Sequence, residues 1–186
     1  MKLQCHRSTL ATALQIVSTV VPARTPKEIL RNVKLQVDSG TATLVAIDLE
    51  VGVRVELTGV ETDSNGEVLL PTSRMSSILR ELTDETIGIE VTETSIQVRT
   101  TGSEFTLSSE DPDEFPDVAT FEGEQYLAIP GAALREGIVR TKFATDQEST
   151  RYALGGILFD PASDMVTLVA TDSRRLAVAS LPARPE

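Results

Sequence analysis

The sequence predicts an α+β fold made of repeated βαβββ half-units, with two helices packed on antiparallel sheets in each domain. Three observations predict it. The chain repeats itself without gaps at an offset of 124 residues, so that Leu44-Val45-Ala46-Ile47-Asp48 returns as Leu168-Val169-Ala170-Thr171-Asp172. The same offset sets Leu10 on Leu134, Leu14 on Ile138, Leu30 on Leu154 and Val33 on Ile157. Short β-branched runs of alternating polarity are interspersed with a few stretches whose apolar residues recur at helical spacing. Finally, the order strand, helix, three strands recurs inside the first repeat, which divides it into halves of about 62 residues.

Each element has a local reason. Lys2–His6 alternates as a strand, and Ser8 or Thr9 offers an N-cap to a helix carrying Leu10, Leu14 and Val17 on one face. Pro22 and Pro26 end that helix and leave a stiff loop bearing Arg24. Val33, Leu35 and Val37 alternate up to the turn at Asp38-Ser39-Gly40; Thr41–Ile47 and Val51–Leu57 follow as strands linked near Asp48–Glu50. The second half opens with Glu67–Leu70. Pro71 with Thr72 or Ser73 then starts a helix carrying Met75, Ile78, Leu79 and Leu82. Ile87–Val91, Ser95–Arg99 and Glu104–Leu107 are its strands, and Glu110–Phe121 reads as a solvated acidic linker.

A third half follows: Gln125–Ile129 as strand, Pro130–Lys142 as helix, then strands Leu154–Phe159, Met165–Ala170 and Leu176–Ser180. Residues 1–123 thus read as one complete domain and 124–186 as the first half of a second. A lone half leaves a strand edge and a sheet face uncovered, so the natural chain is expected to continue past Glu186.

Composition narrows the function. Aromatics are 4% and Trp is absent, which leaves no stacking platform for bare bases. The formal charge of −11 describes the average surface and does not exclude one basic patch. Cys5 is alone, so no intrachain disulfide forms. No apolar stretch has signal-peptide or membrane-span length, and the chain reads as cytoplasmic, without a membrane partner.

One His and one Cys leave His/Cys zinc sites and Cys–His or Ser–His–Asp machinery nearly unbuildable. Cys5 and His6 are neighbours in one strand and point to opposite faces. Glycine-rich phosphate cradles are missing, and Gly155-Gly156 reads as a close-packing pair. Glu110, Asp111, Asp113, Glu114 and Asp117 lack the spacing and glycine of a calcium loop. No metal, cofactor or catalytic residue is expected.

Collinearly from Met1, the chain resembles the bacterial DNA polymerase III β subunits, the sliding clamps. The resemblance is carried by Pro26 to Leu35, Leu44 to Glu50, Val68-Leu69-Leu70-Pro71, Phe105 to Ser108 and Asp113-Glu114-Phe115-Pro116. It is strongest at Arg151-Tyr152-Ala153-Leu154-Gly155-Gly156-Ile157-Leu158 and Ala170-Thr171-Asp172-Ser173-Arg174-Arg175-Leu176-Ala177. It implies the DNA clamp fold, with the first family domain and the first half of the second. It also implies a non-catalytic processivity factor. In that family two full-length chains form a homodimer ring around double-stranded DNA, without reading its sequence. The ring tethers DNA polymerase III, the clamp loader and other proteins carrying clamp-binding motifs.

Carried over by position, the resemblance assigns peptide binding to Leu154, Thr171, Ser173, Arg174, Arg175 and Leu176. The family often has Gly at Ser173 and His at Arg174. DNA contact falls to Arg24 and Tyr152, and the ring seam to Arg74, Ile78, Leu82, Phe105 and Leu107. Helix charge agrees independently. Arg135, Arg140 and Lys142 outweigh Glu136, and Arg74 and Arg80 outweigh Glu81. That pattern suits a channel that neutralises phosphate, although Arg is also a good helix former. The alternative reading is a truncated, clamp-like peptide-binding adaptor that does not encircle DNA. An enzyme using clustered carboxylates is a third.

Overall fold

The computed structural model describes residues 1–92, 95–146 and 152–185, the Tyr152 side chain excepted. Glu93-Thr94, the turn-prone pair between the expected strands Ile87–Val91 and Ser95–Arg99, lies outside these residues. The chain divides into two compact units, Met1–Thr120 and Phe121–Glu186.

In the first unit the first half runs β1 (Lys2–His6), α1 (Arg7–Val17), β2 (Asn32–Asp38), β3 (Thr41–Ile47), β4 (Gly52–Leu57) and β5 (Glu61–Thr62). The second half runs β6 (Gly66–Pro71), α2 (Thr72–Glu81), β7 (Thr86–Val91), β8 (Ser95–Arg99) and β9 (Glu104–Ser108). The sheets are ordered β5-β1-β7-β8-β9 and β4-β3-β2-β6, with every pairing antiparallel. Each half lends its first strand to the other's sheet: β1 lies beside β7, and β6 beside β2. The halves therefore cannot separate without breaking ladder hydrogen bonds.

Alternation decides which side chains enter the core. Leu3 and Cys5 of β1 point inward while His6 is exposed. Helix α1 buries Leu10, Ala13, Leu14 and Val17, and α2 buries Met75, Ile78 and Leu79. The expected Ser8 or Thr9 cap does not form. Helix α1 starts at Arg7, whose N–H donates to the Glu85 carbonyl at 2.8 Å, with no side-chain cap. The Arg7 guanidinium donates to the carbonyls of Leu79 and Asp84, both at 3.1 Å. It thereby satisfies an acceptor in the last turn of α2 that would otherwise need water.

The acidic linker is a correction. Its Pro112–Glu114 helical turn packs on β6, and Phe115 is buried at 3% exposure. Glu110 accepts from the Asn32 amide at 3.2 Å. The segment straps the outer face of the second sheet, where Val45, Lys34 and Leu69 form one buried cross-strand row. Apolar area under Phe115 and Val118 outweighs the preference of the carboxylates for water, which they keep by facing outward.

The second unit holds β10 (Leu127–Ala128), α3 (Gly131–Thr141), β11 (Leu158–Pro161), β12 (Met165–Thr171), β13 (Leu176–Pro182) and β14 (Arg184–Pro185). Strand β10 pairs β14, and β11-β12-β13 form a separate antiparallel sheet. Helix α3 lies on β12 and β13. Gly137 permits that approach, since a Cβ there would lie 2.8 Å from Leu181 and 2.9 Å from Leu168. Two expected strands shrink. Leu154 falls in a helical turn, Tyr152–Gly155, with the strand starting at Leu158, and Gln125–Ile129 contracts to Leu127–Ala128.

Candidate functional site

The turn joining β12 to β13 is built around one carboxylate. Asp172 Oδ1 accepts the N–H groups of Arg174 at 3.0 Å and Arg175 at 2.9 Å, and Oδ2 accepts Arg175 Nε at 2.8 Å. The Thr171 hydroxyl donates to the Arg175 carbonyl at 2.7 Å and accepts the Ser173 N–H at 3.1 Å. Ser173 takes φ +71°, the left-handed region where glycine is at ease. The Arg174 amide, aided by Arg175, holds the Asp172 carboxyl below its ordinary value, against a partial desolvation that opposes it.

The repeat extends to this detail. Asp48 Oδ1 accepts Glu50 N–H at 3.0 Å and Val51 N–H at 2.7 Å, and Leu49 takes φ +84°. Backbone bonds from Val51 and Glu50 lower the Asp48 pKa likewise. One position differs in kind. Gly52 matches Leu176, and a Cβ on Gly52 would lie 2.5 Å from a Val118 methyl. In the first unit the strap occupies that space; in the second, Leu176 is 66% exposed.

Of the six peptide-binding candidates, the structure gathers five. Thr171 and Leu176 are directly paired across β12 and β13, and Ser173, Arg174 and Arg175 form the turn between them. Leu154 is half-buried on its own helical turn, its carbonyl accepting the Asp146 N–H at 2.8 Å. The Arg175 guanidinium stands 5.5 Å from the ring centroid of Phe143, which is itself well exposed. Sequence reasoning missed Phe143. No local signal marks it, because its partner lies 32 residues away and meets it only through folding. It also passed over Asp172 as an organiser, although the recurrence of Asp48 at the same offset carried that signal.

The DNA candidates whose side chains are described are exposed but unequal. Arg24 lies exposed on the loop after α1, Arg135 is exposed on α3 and Lys142 follows that helix. Arg140 forms an ion pair with Glu136, and Arg80 lies 3.7 Å from Glu81. The backbone of Tyr152 is in the helical turn; its side chain lies outside the described residues. Among the seam candidates, Arg74 is exposed on α2 and Phe105 is half-buried on β9. Ile78, Leu82 and Leu107 are buried in their own unit's core, which commits their side chains to packing there. Strand β9 is an edge of its sheet among the described residues.

Duplicated βαβββ halves that exchange strands, displaying polar turns at strand ends, define a scaffold of repeated domains. The family profile for the N-terminal domain of the DNA polymerase III beta subunit matches residues 1–119, and the profile for its central domain matches residues 128–186. The beta sliding clamp of Pseudomonas aeruginosa PAO1 is 34% identical over 180 residues, covering 96% of this chain and 49% of that protein. That of Escherichia coli K12 is 32% identical over 183 residues, covering 98% and 50%. The crystal structure of the Pseudomonas aeruginosa DNA polymerase III subunit beta superposes with a TM-score of 0.87 at 33% identity, covering 99% of this chain and 50% of that one. The chain belongs to the DNA polymerase III β subunit family, the sliding clamps, a family of non-catalytic accessory proteins. It spans about half the length of the curated relatives it matches.

Proposed function

We propose that this chain supplies the first domain and part of the second to a sliding clamp that surrounds duplex DNA and tethers a polymerase. The single observation that carries this reading is the collinear match of both units to the clamp family, from residue 1 to residue 186. Arg24, Arg135 and Lys142, with weaker help from ion-paired Arg140, give phosphates a diffuse attraction rather than a sequence-reading contact. Exposed Leu176, bordered by Thr171 and the Arg175–Phe143 pair, is the apolar anchor site for clamp-binding peptides of DNA polymerase III, the clamp loader and other DNA-processing proteins. The ring seam falls at the edge of β9, open among the described residues, which carries Phe105, and at exposed Arg74 on α2. Residues 1–123 and 124–186 stand as the domain and the partial domain.

The test is retention on circular DNA by clamps assembled from chains that carry these two units. A topologically linked ring stays on a closed circle through high-salt washing and leaves when the circle is cut. Loss from closed and cut circles at equal rates would remove the ring from the reading.

A further inference from the structure

The five-stranded sheet of the first unit carries, on its outer face, one row of residues that crosses every strand. Glu61 on β5 pairs with Gln4 on β1, Gln4 with Gly88 on β7, Gly88 with Arg99 on β8, and Arg99 with Glu104 on β9. Paired residues share a face. The core lies on the other one, where Leu3, Ile87, Ile89 and Val98 are buried. Gly88 is the centre of the row, and a hollow of about 370 Å³ opens over it, walled by Lys2, Gln4, Glu61, Glu90 and Arg99.

No contact within the chain requires the glycine. Its φ is not positive, and a Cβ built there would meet only the Arg99 carbonyl, at an ordinary 3.8 Å. Glycine weakens a strand interior, and such positions often mark where a ligand or another backbone approaches closely.

The charges around the hollow select its occupant. Arg99 is taken: its Nε and Nη2 donate to Glu104 at 3.1 and 3.0 Å, and its Nη1 donates to Glu90 at 2.8 Å. Lys2 Nζ lies 3.0 Å from the same Glu90. Both cations of the wall are thus compensated, and neither is left for an anion. The Glu61 carboxylate and the Gln4 carboxamide, neighbours across β5 and β1, have no hydrogen bond or ion pair among the described residues. Two free acceptors at one side of a backbone-floored hollow call for a cation on an apolar stem. A guanidinium suits them better than an ammonium, being planar, weakly hydrated and forked in its donors.

We propose that this hollow receives an arginine side chain of a partner protein, with its stem over Gly88 and its guanidinium donating to Glu61 and Gln4. Duplex DNA is excluded from this face, because Glu61, Glu90 and Glu104 repel phosphate and both cations are already paired. Every residue of the site belongs to β1, β5, β7 or β8, and nothing in it depends on the ring or on Leu176.

The experiment titrates Nα-acetyl-L-argininamide into the 15N-labelled 186-residue chain, with the neutral isostere Nα-acetyl-L-citrullinamide as control. Amide resonances of Gln4, Glu61, Gly88 and Arg99 are expected to shift and saturate with the arginine compound and to stay still with the citrulline one. Glu61→Gln is expected to weaken binding about threefold, the worth of one exposed ion pair. Gly88→Val fills the hollow with a residue suited to strands and is expected to abolish binding. Should that variant disturb the fold, seen as displaced resonances in β2 and β3, Glu61→Gln and the citrulline control still decide the case. Shifts scattered over the acidic strap would overturn the proposal. So would an equal response to the citrulline compound, or an affinity that Glu61→Gln leaves unchanged.

Discussion

Cys5 shows how strand alternation sets chemistry at a single residue. It points into the core from β1, and burial pushes its thiol up to about 11. At pH 8 the folded protein is expected to resist iodoacetamide and to be labelled stoichiometrically once denatured; intact mass reads both. Labelling of the native chain at the rate of a free thiol would contradict the packing. Leu176 is the opposite case, an apolar side chain held in water by the turn beside it. Leu176→Ala is expected to weaken binding of a clamp-binding peptide by about 1–2 kcal/mol, the range of a truncated anchor contact. Titration calorimetry measures it, and an unchanged affinity would remove Leu176 from the site.

Between elements, the two Asp-centred turns share the backbone hydrogen bonds to the carboxylate and a left-handed residue just after the Asp, yet have different surroundings. The difference is the strap. In the first unit Val118 fills the space beside Gly52, so a larger residue there must push a stiff β-branched side chain aside. Gly52→Leu is expected to cost about 1–3 kcal/mol by urea denaturation, within the range for overpacking. Val118→Ala in the same background should recover part of that loss, as neighbouring sites couple. Additive costs would mean that the strap does not press on the turn. Arg7 makes a related point: although it opens helix α1, its guanidinium is spent on carbonyls at and just after the end of α2.

For the molecule as a whole, a charge of −11 sets a background that repels DNA. Of the cationic DNA candidates, Arg140 and Arg80 already face glutamates, which leaves Arg24, Arg135 and Lys142 less compensated. Duplex binding by this chain alone is therefore expected to be weak and to fade steeply with salt, as counterion release requires. Fluorescence anisotropy at several salt concentrations measures the slope. Tight, salt-resistant binding would point to a dedicated nucleic-acid site and against a clamp.

What the sequence determined by itself was local or periodic. The repeat at 124 residues, the strand-helix-strand order, the inward set of each strand and the apolar faces of the three helices all follow from spacing along the chain. The resemblance at the turn residues was legible for the same reason, because an Asp that bonds amides two and three residues on needs no distant partner. Tertiary structure decided the rest. It set which half lends a strand to which sheet, that Ile78, Leu82 and Leu107 serve their own core, and that Phe115 draws an acidic segment onto a sheet face. It also brought Phe143 under Arg175. Each of these rests on contacts between residues far apart in the chain, and burial at such contacts outweighs local preference.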